Sequence, residues 1–85
     1  MDKNSIEKLR KEVDAVDRRL VFLLAERFKI TKEIISIKKE NGLPAKDKNR
    51  EGDIVKEASE LAEKSGISSK FIADIFKIIL RESKK

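Results

Sequence analysis

Two cationic side chains hold the clearest chemical potential in this sequence. Arg27 and Lys38 lie eleven residues apart in a stretch with no proline or glycine before Gly42. On a helix that spacing is roughly 16 Å of rise and only about 20° of rotation, so both point the same way and can close on an anion between them. Arg10 is placed differently, roughly 25 Å from Arg27 and about 100° around the helix. It cannot serve the same site from the same chain, but it can reach the site of an antiparallel partner. Asp47, Arg50 and Glu51 head a second helical segment, and Ser83 continues an apolar stripe near the end of a third. The chain contains no cysteine and no histidine, which excludes thiol nucleophiles, imidazole acid–base chemistry and zinc sites of the usual kind.

Each of these residues also has a plainer reading. Arg27 can snorkel its head out of an apolar seam or pair with an interhelical acid. Lys38 can simply complement a helix C-terminus, Asp47 can be a helix cap, and Arg10 can be a solvated surface charge. Arg50 and Glu51 can form an ordinary first-turn pair, and Ser83 can be a tolerated polar end. What several of them share is position, at interruptions of apolar faces.

Three helices must position them. The first runs from Asn4 to about Asn41. Its seam is Ile6, Leu9, Val13, Val16, Leu20, Leu23, Ile30, Ile34 and Ile37, spaced three and four apart, with Arg27 standing where the next apolar residue belongs. Asn4 and Glu7 have the spacing of a capping box. Lys38 and Lys39 in the last turn, Gly42 at a left-handed C′ position and Pro44 beyond it mark the stop. Asp47 caps a second helix to about Lys64, with a narrow apolar face of Ile54, Val55, Ala58, Leu61 and Ala62. Ser65-Gly66 closes it. Ser68 or Ser69 caps a third, which runs to the end of the chain and carries Phe71, Ile72, Ile75, Phe76, Ile78, Ile79 and Leu80. No strand alternation or internal repeat is present, so the expected class is all-α.

Length and charge set the bounds. The 85 residues allow one domain, 1–85, with a marginal core. A first helix of about 54 Å exceeds the roughly 30 Å diameter of a compact domain of this size. Its seam therefore calls for a partner, most simply a second copy in a C2 dimer; a lone coiled-coil hairpin is the alternative. The net charge is +5, yet the basic residues are scattered among acids, and the closing Lys84–Lys85 pair reads as solvated. With no RNA-binding aromatic signature and no helix-turn-helix spacing, no nucleic-acid partner is expected. No apolar run approaches membrane-spanning length and the N-terminus lacks a signal-peptide core, so no membrane association and a cytoplasmic location are expected.

The ordered motifs resemble the all-helical class of chorismate mutases. The first helix reads Leu9-Arg10-Lys11-Glu12-Val13-Asp14-Ala15-Val16-Asp17, then Leu20 and Leu23-Leu24-Ala25-Glu26-Arg27, then Ile37-Lys38. Pro44 follows in the loop, then Asp47-Lys48-Asn49-Arg50-Glu51, and Phe76-Lys77-Ile78-Ile79 with Ser83 in the third helix. Asp-x-x-Arg-Glu is that family's most recognisable short motif, and the resemblance covers essentially the whole chain.

The resemblance implies a fold and a reaction. The fold is an intertwined homodimer of three-helix protomers with shared active sites. The reaction is the Claisen rearrangement of chorismate to prephenate in phenylalanine and tyrosine biosynthesis, with no cofactor or metal. Carried over residue by residue, Arg27 binds one substrate carboxylate and Arg10 reaches in from the other protomer to bind the second. Lys38 contacts the ether oxygen and a carboxylate. Asp47, through its backbone, and Glu51 hold the ring hydroxyl. Ser83 lies near the ring carboxylate, and Arg50 orients its neighbours and adds positive potential. One feature departs from the family. A glutamine or glutamate usually stands one turn beyond the serine, whereas here the chain ends at Lys85, and neither Glu82 nor Lys84 is on the matching face. Either the third helix is cut from a longer protein or Lys38 acts alone at the ether oxygen. An isochorismate-pyruvate lyase of the same fold, and a non-catalytic helical dimerisation or regulatory module, are the competing readings.

Overall fold

A computed structural model describes residues 3–85. It is all-α, with three helices in the order α1 (Lys3–Glu40), α2 (Lys48–Lys64) and α3 (Ser69–Ser83). The chain divides into two compact units, a first ending at Thr31 and a second spanning Lys32–Lys85, with α1 running through the boundary. At 38 residues α1 is about 57 Å long. It begins one residue before the expected start, so Asn4 lies inside the first turn rather than at the cap. Glu7, expected to complete a capping box, instead accepts a 2.9 Å hydrogen bond from Arg10 Nη1. A long exposed cation one turn away competes for that carboxylate with the backbone N–H groups of the helix start.

The other helix ends follow from local chemistry. Gly42 closes α1 with φ 66°; Leu43 N–H donates to the Lys38 carbonyl at 2.8 Å and Gly42 N–H to that of Lys39 at 3.3 Å. This is the paired C-terminal pattern that a left-handed C′ residue permits. The same pattern recurs where α2 ends. Gly66 has φ 75°, Ile67 N–H donates to the Ala62 carbonyl at 2.9 Å, and Gly66 N–H donates to that of Glu63 at 3.2 Å. Asp47 caps α2, its Oδ1 accepting from Arg50 N–H at 3.1 Å. Ser68, rather than Ser69, caps α3 by accepting from Phe71 N–H at 3.2 Å. The third helix stops at Ser83, with Lys84 as its C-cap.

In the second unit, α2 and α3 pack against each other as an antiparallel hairpin. The side chains that become buried are Ala58, Ala62 and Leu80. The two alanines let the helices approach closely, since side-chain size at the contact sets interaxial distance. Ile54, Val55, Ile72, Ile75, Phe76 and Ile79 line the same contact half-buried. Leu61, Phe71 and Ile78 stay exposed, although the sequence pattern places them on apolar faces.

In the first unit the seam of α1 is open to solvent. Its apolar members range from 41% exposed at Ile6 to 61% at Leu23. A helix with so long an exposed apolar stripe gains little from its own fold and has burial still to gain. Among the described residues, no helix is long and apolar enough to cross a membrane.

Candidate functional site

The second unit gathers five of the seven candidate residues: Lys38, Asp47, Arg50, Glu51 and Ser83. The turn from α1 to α2 brings Lys38 back toward the start of α2. There a pocket of about 420 Å³ is lined by Lys38, Leu43, Pro44, Lys46, Asp47, Lys48 and Asn49. That volume falls in the roughly 300–1,000 Å³ range of small-molecule sites. Lys38 is half-buried, and its Nζ donates to the Ala45 carbonyl across the turn at 3.5 Å. Such a long contact is weak, so the ammonium can turn to an anionic ligand at little cost.

The Asp47 side chain is committed to the helix cap, and its carbonyl accepts Glu51 N–H at 3.0 Å. The plainer reading of this residue is therefore correct for its carboxylate, and any ligand contact falls to its backbone. Arg50 is exposed in the first turn of α2, and its N–H is the donor to the cap. Glu51, in the same turn, is half-buried. Its two carboxylate oxygens each lie 3.0 Å from Lys84 Nζ. Ser83, also half-buried, donates from Oγ to the Ile79 carbonyl at 2.7 Å, which anchors the hydroxyl on the last turn of α3.

Arg10 and Arg27 belong to the first unit. The Arg10 side chain is 71% exposed and ion-paired with Glu7. Arg27 is half-buried although it stands on an otherwise open seam. Among the described residues, no cluster of three or more acidic, histidine or cysteine side chains is arranged to hold a metal.

Sequence reasoning misses three lysines at this site. Lys46 and Lys48 flank the pocket, and nothing in the apolar periodicity distinguishes them from solvated loop charges. Lys84 is off the face expected for a helix continuing past Ser83. A usable signal does exist: in an antiparallel hairpin turning at Gly66–Ile67, Glu51 and Lys84 lie at nearly equal sequence distances from the turn, with opposite charges.

Comparison with known proteins places the chain as a whole. The family model for chorismate mutase type II matches residues 9–85. A chorismate mutase of Methanocaldococcus jannaschii is 32% identical, over 93% of this chain and 83% of that protein. The T-protein of Haemophilus influenzae is 34% identical over 93% of this chain; the chain spans about a fifth of that relative's length, 21%. A solved structure of chorismate mutase from Thermus thermophilus superposes with a TM-score of 0.85 at 38% identity, covering 93% of this chain and 98% of that one.

Proposed function

The chain belongs to the type II chorismate mutase family, and on that premise we propose that it is an isomerase converting chorismate to prephenate. The single observation that carries the reading is the grouping in the second unit. A weakly held Lys38 ammonium and the Asp47 cap of α2 meet at a pocket of small-molecule size, with Arg50 and Glu51 following in the first turn of α2. The family match spans every candidate residue from Arg10 to Ser83.

The rearrangement is unimolecular. The ether C–O bond breaks while the enolpyruvyl methylene carbon bonds to the ring carbon that bears the carboxylate, and no proton is gained or lost. The demands on the protein are therefore conformational and electrostatic. Arg27 and the partner's Arg10 hold the two carboxylates and select the folded, diaxial-like conformer, a positional contribution to rate. Lys38 faces the ether oxygen. Its charge stabilises the negative charge that grows there more in the transition state than in the ground state. The Asp47 backbone and Glu51 orient the ring hydroxyl, Ser83 approaches the ring carboxylate, and Arg50 adds positive potential at the head of α2.

This reading includes a homodimer with shared sites. The open seam of α1 supports it, because a second copy is the simplest cover for a stripe of this length. Arg10, well separated from Arg27 along the same helix, then serves the other protomer's site. The setting is aromatic amino-acid biosynthesis in the cytoplasm.

The test is to supply chorismate and isochorismate separately to the purified chain and identify the products. Prephenate from chorismate is the expected outcome. Salicylate from isochorismate would replace the mutase by a lyase of the same fold, and turnover of neither would leave a non-catalytic helical module.

A further inference from the structure

Lys84 and Glu51 form a contact unlike three local ion pairs among the described residues. The lysine Nζ sits 3.0 Å from both carboxylate oxygens, across 33 residues of sequence. Their side chains are only 32% and 26% exposed. The pairs Glu7–Arg10, Lys70–Asp74 and Glu82–Lys85 join residues only three or four apart in sequence and are at least half exposed. Those local pairs contribute little. The Lys84 pair instead ties the C-cap of α3 to the first turn of α2, beside the Asp47 cap.

The position of Glu51 poses an electrostatic problem. A carboxylate suits the N-terminus of α2, but here it faces the place proposed for a dianion. Like charges about 6 Å apart, at an effective dielectric near 40, disfavour binding by about tenfold. An ammonium bridging both oxygens cancels that repulsion. It also fixes the carboxylate plane, while each oxygen keeps a lone pair to accept a hydrogen bond from a ring hydroxyl.

Resting on the function proposed above, we infer that Lys84 is a positioning residue of the site, holding Glu51 in place and neutralising it toward a dianionic substrate. A pure clamp between α2 and α3 would use the same contact but would act on stability alone.

The experiment separates the two roles. Lys84→Met keeps the apolar stem and removes the charge. KM for chorismate should rise about tenfold, with kcat changing less than about threefold. Lys84→Arg should restore KM to within about threefold of the unmodified chain. In a Glu51→Gln background there is no carboxylate for Lys84 to hold, so adding Lys84→Met should raise KM by clearly less than it does in the unmodified chain. Circular dichroism and thermal melting check the fold of each variant. Should Lys84→Met fail to fold, Lys84→Gln, which can still donate to Glu51, takes its place with the same expected KM. An unchanged KM with a lowered melting temperature would make the pair a clamp and overturn the inference. An equal KM effect in both backgrounds would also overturn it, since Lys84 would then act independently of Glu51. Failure of the unmodified chain to turn over chorismate overturns the function itself and the inference with it; normal turnover with an indifferent Lys84→Met overturns the inference alone.

Discussion

Replacing Leu20 by alanine should weaken self-association of the chain about thirtyfold. Leu20 lies mid-seam on α1 and is 54% exposed in the single chain. Full burial of a leucine side chain is worth about 1.5–3 kcal/mol, so covering the exposed half contributes about 1 kcal/mol per protomer. A C2 interface counts each substitution twice, giving about 2 kcal/mol, or about thirtyfold in the dissociation constant. Alanine is at least as good a helix former as leucine, so α1 itself should persist. Sedimentation velocity over a dilution series measures the shift directly. Activity supplies a second readout: if the partner's Arg10 completes each site, specific activity falls on dilution with the same midpoint. Phe22 is the control. It is more exposed, at 68%, but lies about 200° around the helix from Leu20. Phe22→Ala should leave the midpoint unchanged. Equal shifts for both variants would refute the assignment of the seam as the interface. An unmodified chain that sediments as a monomer while fully active would refute the shared site.

Four further substitutions probe the site and the scaffold. Lys38→Ala should lower kcat by about 10²–10³-fold, the usual cost of one preorganised donor at a developing oxyanion, and Arg10→Ala should also be strongly impaired; co-refolding the two variants should recover activity, because one site of a mixed dimer carries both lesions and the other neither, and no recovery despite proven chain exchange would deny Arg10 a role across the dimer. Gly66→Ala should destabilise the α2–α3 hairpin by about 1–2 kcal/mol in thermal melts, because φ is 75° although a Cβ there would meet nothing within 4 Å; the cost is conformational, so Gly52→Ala, mid-helix in α2 and equally open, should be neutral or stabilising.

Much of the fold is determined by sequence alone, because the signals that end a helix act within a few residues. Asp47, Ser68, Gly42 and Gly66 do in the structure what their types and offsets imply. The seam of α1, with Arg27 interrupting it, is likewise a periodicity that any helix must present on one face. The start of α1 departs from expectation: Asn4 lies within the helix, and the Glu7 carboxylate meets Arg10 instead of completing a capping box.

The site divides along the same line. Lys38, Asp47, Arg50, Glu51 and Ser83 can be named from ordered motifs, yet their mutual arrangement depends on how the turn after Glu40 folds back and how α2 lies on α3. That packing is set by the fit of Ala58, Ala62 and Leu80, a property of surfaces rather than of spacing. The turn between α1 and α2 sets Lys46 and Lys48 at the border of the pocket, whereas the α2–α3 packing acts further along the hairpin. That packing brings Lys84, a solvated tail charge by sequence, against both oxygens of Glu51. Local chemistry determined where α2 and α3 begin and end; only tertiary packing decided that Lys84 meets Glu51, because charges 33 residues apart have no common geometry until the helices between them are packed.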